Sequence, residues 1–180
     1  IGNGTNISSS GSNGTTGATV GIGSAGTSLQ YIAGNDGLIV EGFGDNGAGA
    51  NQSYRVYTNN THPNPTTKPY WAAGTGANSA TFSDPYYTSA FPSVSAPAGQ
   101  SSFLATQGGC TTAGTLGFAW HTWTITNDSQ NVVWAIDGKT IATIPTADFT
   151  QAGSQVSLDN DDTGTGGNTA ANNQLFNAHV

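Results

Sequence analysis

Nowhere in this chain do apolar residues recur every three to four positions over ten or more residues, so no stretch carries the stripe an amphipathic helix needs. Short runs of Val, Ile, Tyr, Phe, Trp and Thr recur instead, cut apart by clusters of Gly, Pro, Asn and Asp. That punctuation predicts an all-β chain with almost no helix. Strands are expected at 18–23, 28–33, 37–43, 53–58, 101–105, 115–126, 131–137, 139–145, 154–158 and 174–180. Residues from about 59 to 100 hold all but one of the seven prolines and read as a long loop excursion, with a short strand near Tyr70–Ala73. Residues 1–17 form a polar segment of Gly, Ser, Thr and Asn. The 180 residues suit a single domain that spans the chain, 1–180.

The strongest local signals lie between Leu116 and Pro145, where three of the four tryptophans fall. Asp137–Gly138 between "VVWAI" and "KTIATI" is a type I′ turn signature, so 115–126, 131–137 and 139–145 are expected to form a meander. Alternation puts Phe118, Trp120, Thr122 and Thr124 on one face of the first strand and Ala119, His121, Trp123 and Ile125 on the other. A tryptophan on each face predicts a central strand covered on both sides, with Trp120 and Trp134 in the core. Such a strand can border a ligand groove or lie under a long loop.

Charge narrows the function classes. Only 7% of residues are charged, and three basic residues (Arg55, Lys68, Lys139) face ten acidic ones, giving a net charge of −7. A nucleic-acid partner needs clustered Lys and Arg, and an anionic lipid surface needs the same, so neither is expected. No apolar run reaches the roughly 20 residues of a membrane-spanning helix. A surface made soluble by hydroxyls and amides suits an extracellular or cell-surface location. Cys110 is the single cysteine, which rules out an intrachain disulfide. The absence of any methionine and of a leader at Ile1 makes the chain read as a processed or excised segment. Six Asn-x-Ser/Thr sequons (Asn3, Asn6, Asn13, Asn51, Asn59, Asn127) are offered, in a composition that produces such triplets by chance.

Motifs for chemistry are weak. "GIGSAG" at Gly21–Gly26 has dinucleotide-loop spacing, but the residues after it are strand-like and offer no helix that could hold a pyrophosphate. Glycoside hydrolysis needs paired carboxylates, and the one glutamate, Glu41, has only Asp45 nearby in sequence. No Gly-x-Ser-x-Gly elbow occurs, Cys110 and His121 lack a motif that would pair them, and the three histidines lack zinc spacing. No catalytic residue is therefore expected. "SLDNDDTGTGGN" places Asp159, Asp161 and Asp162 in a Gly-rich loop with Asn160 and Asn168, which reads either as a structural calcium site or as a solvated acidic loop. Asp36, Glu41 and Asp45 form a weaker oxygen cluster of the same kind.

The order "YRVY…YWAAGTG…DPYY…AFPSVSAPAGQ…QGGCTTAGTLGFAWHTWTITNDSQNVVWAIDGKTIATI…LFNAHV" resembles concanavalin A-like lectin/glucanase, or laminin-G-like, jelly-roll domains of exported bacterial proteins. The resemblance touches most of 20–180 and is specific over 53–145. It implies an antiparallel two-sheet β-sandwich with one curved, concave sheet. The glycosidase carboxylate motif of that family has no counterpart here, so its enzymatic branch is not implied. Aromatic rings on a concave face stack on sugars, and Trp71, Tyr86, Tyr87 and Trp123 are the candidates; their other reading is that they fill the core or pin the excursion. Two function classes remain open. One is a non-enzymatic structural module of a cell surface, sheath or filament, partnered by itself or by other surface proteins through exposed β-edges. The other is a module that binds a polysaccharide. A glycosidase-related enzyme stands third.

Overall fold

A computed structural model describes residues 16–26, 36–44, 54–59, 69–74, 79–80, 82–95, 97–99 and 110–162. The expected strands at 28–33, 101–105 and 174–180 lie outside the described residues. Two antiparallel sheets carry the chain. The larger runs in the order β4-β3-β2-β1-β8, from β1 (Thr16–Ser24), β2 (Leu38–Phe43), β3 (Tyr54–Thr58), β4 (Ser79–Ala80) and β8 (Gln155–Asp162). The smaller is the meander β5 (Trp123–Asn127), β6 (Asn131–Ile136) and β7 (Lys139–Pro145). Among the described residues helix is confined to one turn, α1 (Pro85–Thr88), and a 3-10 turn at Thr146–Asp148. Asp84 caps α1 by accepting a 2.8 Å hydrogen bond from the Tyr86 amide, and Pro85 supplies a preset φ at the first position. Among the described residues no helix is long and apolar enough to cross a membrane.

The meander matches its sequence pattern at both turns. Asp137 and Gly138 have φ of 51° and 76°, the two positive values of a type I′ turn. In the β5–β6 loop, the Asp128 carboxylate accepts from the amides of Gln130 and Asn131, which holds it below the ordinary carboxylate range. Ile141 and Ala142 are both buried because the β6–β7 register slips by one residue there, a β-bulge that turns neighbouring side chains to one side.

One apolar cluster draws on both sheets. It takes Leu38 and Val40 from β2, Tyr54 and Val56 from β3, and Val132, Trp134, Ile136, Ile141 and Ile144 from the meander. The Tyr54 and Trp134 rings meet edge-on at 6.1 Å, so β6 lies over β3. A Cβ on Gly42 would stand 2.9 Å from the Trp123 ring, which places β5 over β2 and explains the missing side chain. The excursion closes the flank beside β7. Trp71 bridges Ala142, the Ala72 amide donates to the Ile141 carbonyl (3.0 Å), and the Thr143 amide donates to the Tyr70 carbonyl (2.9 Å).

The strand expected over 115–126 starts only at Trp123. Gly114 has φ +89° and touches the Phe82 carbonyl, Gly117 touches the Gly44 carbonyl, and Phe118 has φ 59°. These contacts hold 111–122 in an irregular path. Trp120 therefore leaves the core and is 70% exposed, while Trp134 is fully buried as its strand predicts.

Candidate functional site

The aromatic residues singled out from the sequence are not brought to one surface. Trp71 and Tyr86 sit half-buried beside β7, and the Tyr86 hydroxyl donates to the Thr140 carbonyl at 2.9 Å. The Lys139 ammonium lies 3.6 Å from the Tyr86 ring centroid. Trp123 stands on the opposite flank of the meander, its ring 5.2 Å from that of Trp134. Tyr87 is a correction. It is fully buried, packs 4.8 Å from the Tyr54 ring, and donates its hydroxyl to the Ala73 carbonyl, so it offers no face to a ligand. Burial raises its pKa, as it does for Tyr54.

Asp159, Asp161 and Asp162 stand on β8, in register with Thr19, Gly17 and Thr16, and not in a loop. Their side chains lie outside the described residues, as do Asn168 and Asp45. Of the weaker oxygen cluster, Asp36 and Glu41 are described, and each is engaged with other groups. Asp36 holds the end of β1 by accepting from the Ser24 hydroxyl (3.0 Å) and the Ala25 amide (2.9 Å). Glu41 is paired in another direction, directly across from Arg55 on β3, with Oε2 3.7 Å from the guanidinium and 3.2 Å from the Tyr57 hydroxyl that donates to it. Burial first, and then the Glu41 charge, push the Tyr57 hydroxyl up. Among the described residues no three His, Cys, Asp or Glu gather to hold a metal.

His121 is held by Asp137, with Nδ1 2.6 Å from Oδ2, and meets Phe91 edge to face at 5.7 Å. Cys110 is exposed and lies 3.5 Å from the Ser95 hydroxyl.

The feature that stands apart is an open flank where both sheets end. On the core-facing side of the larger sheet, Tyr54 and Val56 of β3 are fully buried, Leu38 and Val40 of β2 are 1% exposed, and Val20 and Ile22 of β1 are only partly buried. On β8 the same face continues with Leu158 opposite Val20 and Val156 opposite Ile22, yet these are 54% and 66% exposed. The cover supplied by the meander stops between β1 and β8. Among the described residues its edge strand β5 has no strand on its outer side either, where the Asn127 side-chain amide donates to Gln151 Oε1 at 3.5 Å. The Asp137 amide donates to the Thr122 carbonyl and the Asp128 amide to the Asn131 carbonyl. Antiparallel alternation then gives bonded pairs at Thr124–Ala135 and Thr126–Val133, and aims the backbone N–H and C=O of Trp123, Ile125 and Asn127 away from β6. No strand pairs with that side of β5 among the described residues.

No protein-family model, curated protein or solved structure matches the chain. The functional reading rests on this geometry. Sequence reasoning missed Val156 and Leu158 as site residues, because alternation within 154–158 marks an apolar face but not whether a second sheet covers it.

Proposed function

We propose that the chain is a non-enzymatic structural module of an extracellular surface, sheath or filament, folded as a β-sandwich of the concanavalin A-like kind, that joins its neighbours through the open β5–β8 flank. The observation that carries this reading is the exposure of Val156 and Leu158 on an eight-residue edge strand. A long, uncovered, apolar edge is what soluble β-proteins ordinarily avoid, because it templates pairing with another chain. Burying one such side chain contributes about 1.5–3 kcal/mol, so a contact that covers both supplies a useful part of a subunit interface. Scarce charge and a hydroxyl-rich surface fit repetitive packing outside the cell, and two antiparallel sheets around one core are what the family resemblance implies.

The test is light scattering after size exclusion, with negative-stain imaging, on the wild type and on Val156→Lys/Leu158→Lys. Concentration-dependent oligomers or filaments are expected from the wild type, and monomers from the variant, which should keep a single cooperative thermal transition that no longer depends on protein concentration. A wild type that stays monomeric at every concentration overturns the reading.

A second reading, binding of a polysaccharide, is favoured by the half-exposed Trp71 and Tyr86 beside Lys139. Retention on a polysaccharide column that Trp71→Ala abolishes, in a protein that never assembles, supports it over the first.

A further inference from the structure

Resting on the extracellular placement proposed above, we infer that Asn127, at the tip of the β5–β6 hairpin, is an acceptor site for an N-linked glycan. Of the six Asn-x-Ser/Thr triplets, those at Asn3, Asn6, Asn13 and Asn51 lie outside the described residues, while Asn59 and Asn127 are described. As triplets these two are equivalent. Their geometry separates them.

Asn127, Asp128 and Ser129 are all described, and every residue from Thr126 to Gln130 is exposed. β5 ends at Asn127 and β6 starts at Asn131, so the triplet forms the hairpin tip. Asn127 Oδ1 accepts from the Ser129 amide at 2.9 Å, which is an Asx turn, and Ser129 takes a left-handed φ of 71°. The Asp128 carboxylate between them is turned onto the amides of Gln130 and Asn131 (2.9 and 2.7 Å) and does not compete for Ser129. The nitrogen that would carry the sugar, Asn127 Nδ2, donates only a 3.5 Å bond to Gln151 Oε1, at the weak limit for such contacts, and has a second N–H besides. Asn59 lacks this arrangement. Its Oδ1 accepts from the distant Thr150 amide at 2.8 Å, so the side chain ties the end of β3 to the connection before β8 and does not close on its own triplet.

The Asx turn suits the chemistry. An amide nitrogen is a poor nucleophile because its lone pair is shared with the carbonyl. The co-reactant is an oligosaccharide joined through its anomeric carbon to a lipid diphosphate, brought by an oligosaccharyl transferase. Nδ2 gives up one proton to a base of the transferase and bonds to the anomeric carbon. The bond from that carbon to the diphosphate oxygen breaks, and the lipid diphosphate leaves with its electron pair. As Nδ2 loses its proton, negative charge develops on Oδ1, where the Ser129 N–H already donates. The product is a bulky, hydrated group on an exposed tip, where it displaces no packed side chain. It stands on the last residue of β5, at one end of the edge that is open to another chain.

The test maps the full-length protein isolated from the cells that make it, beside Asn127→Asp, Ser129→Ala and Ser129→Thr expressed in the same cells. Chymotryptic peptides are treated in heavy-oxygen water with an amidase that releases N-glycans, so that each glycosylated Asn becomes a labelled Asp in the mass spectrum. Label is expected at Asn127 and not at Asn59. Ser129→Ala should lose the glycan and Ser129→Thr should keep it, a difference that a merely structural role for the loop would not produce. Asn127→Asp keeps an oxygen for the Ser129 amide, so it should fold as the wild type does while its intact mass falls by one glycan. An unlabelled Asn127 in protein recovered from outside the cell overturns the site and leaves the extracellular reading standing. Label at Asn59 with Asn127 bare overturns it as well. Protein confined to the cytosol removes both the site and the extracellular reading.

Discussion

Replacing Arg55 by Met isolates the effect of the one buried ion pair in the described residues. Glu41 is fully buried and the Arg55 side chain is 10% exposed, with the charged atoms 3.7 Å apart on directly opposed positions of β2 and β3. At the effective dielectric that describes protein interiors, about 20, two unit charges at that distance attract by about 4.5 kcal/mol. Methionine keeps the length of the Arg stem, so Arg55→Met removes the charge, and the 3.4 Å hydrogen bond that Arg55 donates to the Tyr57 hydroxyl, with little change in volume. Breaking one side of a buried pair costs about 3–5 kcal/mol, a large part of the 5–15 kcal/mol typical of a domain's stability. The double variant Glu41→Gln/Arg55→Met removes both charges and should recover most of that loss. Urea unfolding at pH 7, in the Val156→Lys/Leu158→Lys background to keep the protein monomeric, measures both effects. A loss below about 1 kcal/mol for Arg55→Met, or no recovery in the double variant, refutes the argument.

Gly114→Ala should lower the melting temperature well beyond Gly138→Ala. Both have positive φ, which costs a non-glycine about 1–2 kcal/mol, but only at Gly114 does the new Cβ also meet a carbonyl, that of Phe82; equal shifts in a thermal melt would show that the contact is not tight. Asp137→Asn should lose stability mainly above pH 4. Partial burial pushes the Asp137 carboxyl up, but the His121 ring and the Thr122 amide outweigh it and hold the group below the usual carboxylate range. Its stabilisation is therefore present above the unfolded value of about 3.9 and disappears as pH falls through the lower folded one. Wild type and variant should converge in acid, and a gap that persists there denies the linkage.

The meander was legible because its signals are local. The Asp137–Gly138 turn and the alternation Val132, Trp134, Ile136 need nothing from the rest of the chain. Where distant contacts decide, the sequence misleads. The run 115–126 is rich in strand formers, yet the Phe82 and Gly44 backbones press on Gly114 and Gly117 and delay the strand to Trp123. Residues 159–162 have poor strand propensity, but pairing with Thr16–Thr19 carries β8 through them, an override that sheet context commonly imposes. Glu41 sits with Asp45 in sequence, while the cross-strand register gives it Arg55. A lone Glu and a lone Arg on adjacent expected strands were the available hint.

The two flanks of the molecule are finished differently, and the difference bears on function. Beside β7 the chain places Tyr70, Trp71, Ala72 and Tyr86, with two backbone hydrogen bonds and the Tyr86–Thr140 bond. The far edge of the larger sheet ends in β4, only two residues long, too short to template much pairing. At the opposite side stand the five-residue β5 and the eight-residue β8, closed among the described residues only at the Asn127 end, where Gln151 accepts from the Asn127 side-chain amide and Gly153 donates to the Gly23 carbonyl. A fold that was merely loose would be open on both flanks. Here Trp71 and Tyr86, two of the four aromatics that looked like a sugar platform, close one flank, while Trp123 stands on β5 at the other, on the side of the exposed Val156 and Leu158. Aliphatic floors suit the side chains of a β-strand, whereas sugar recognition relies on aromatic faces with polar groups placed between them. That contrast is the physical ground for proposing assembly, and not sugar binding, at this flank.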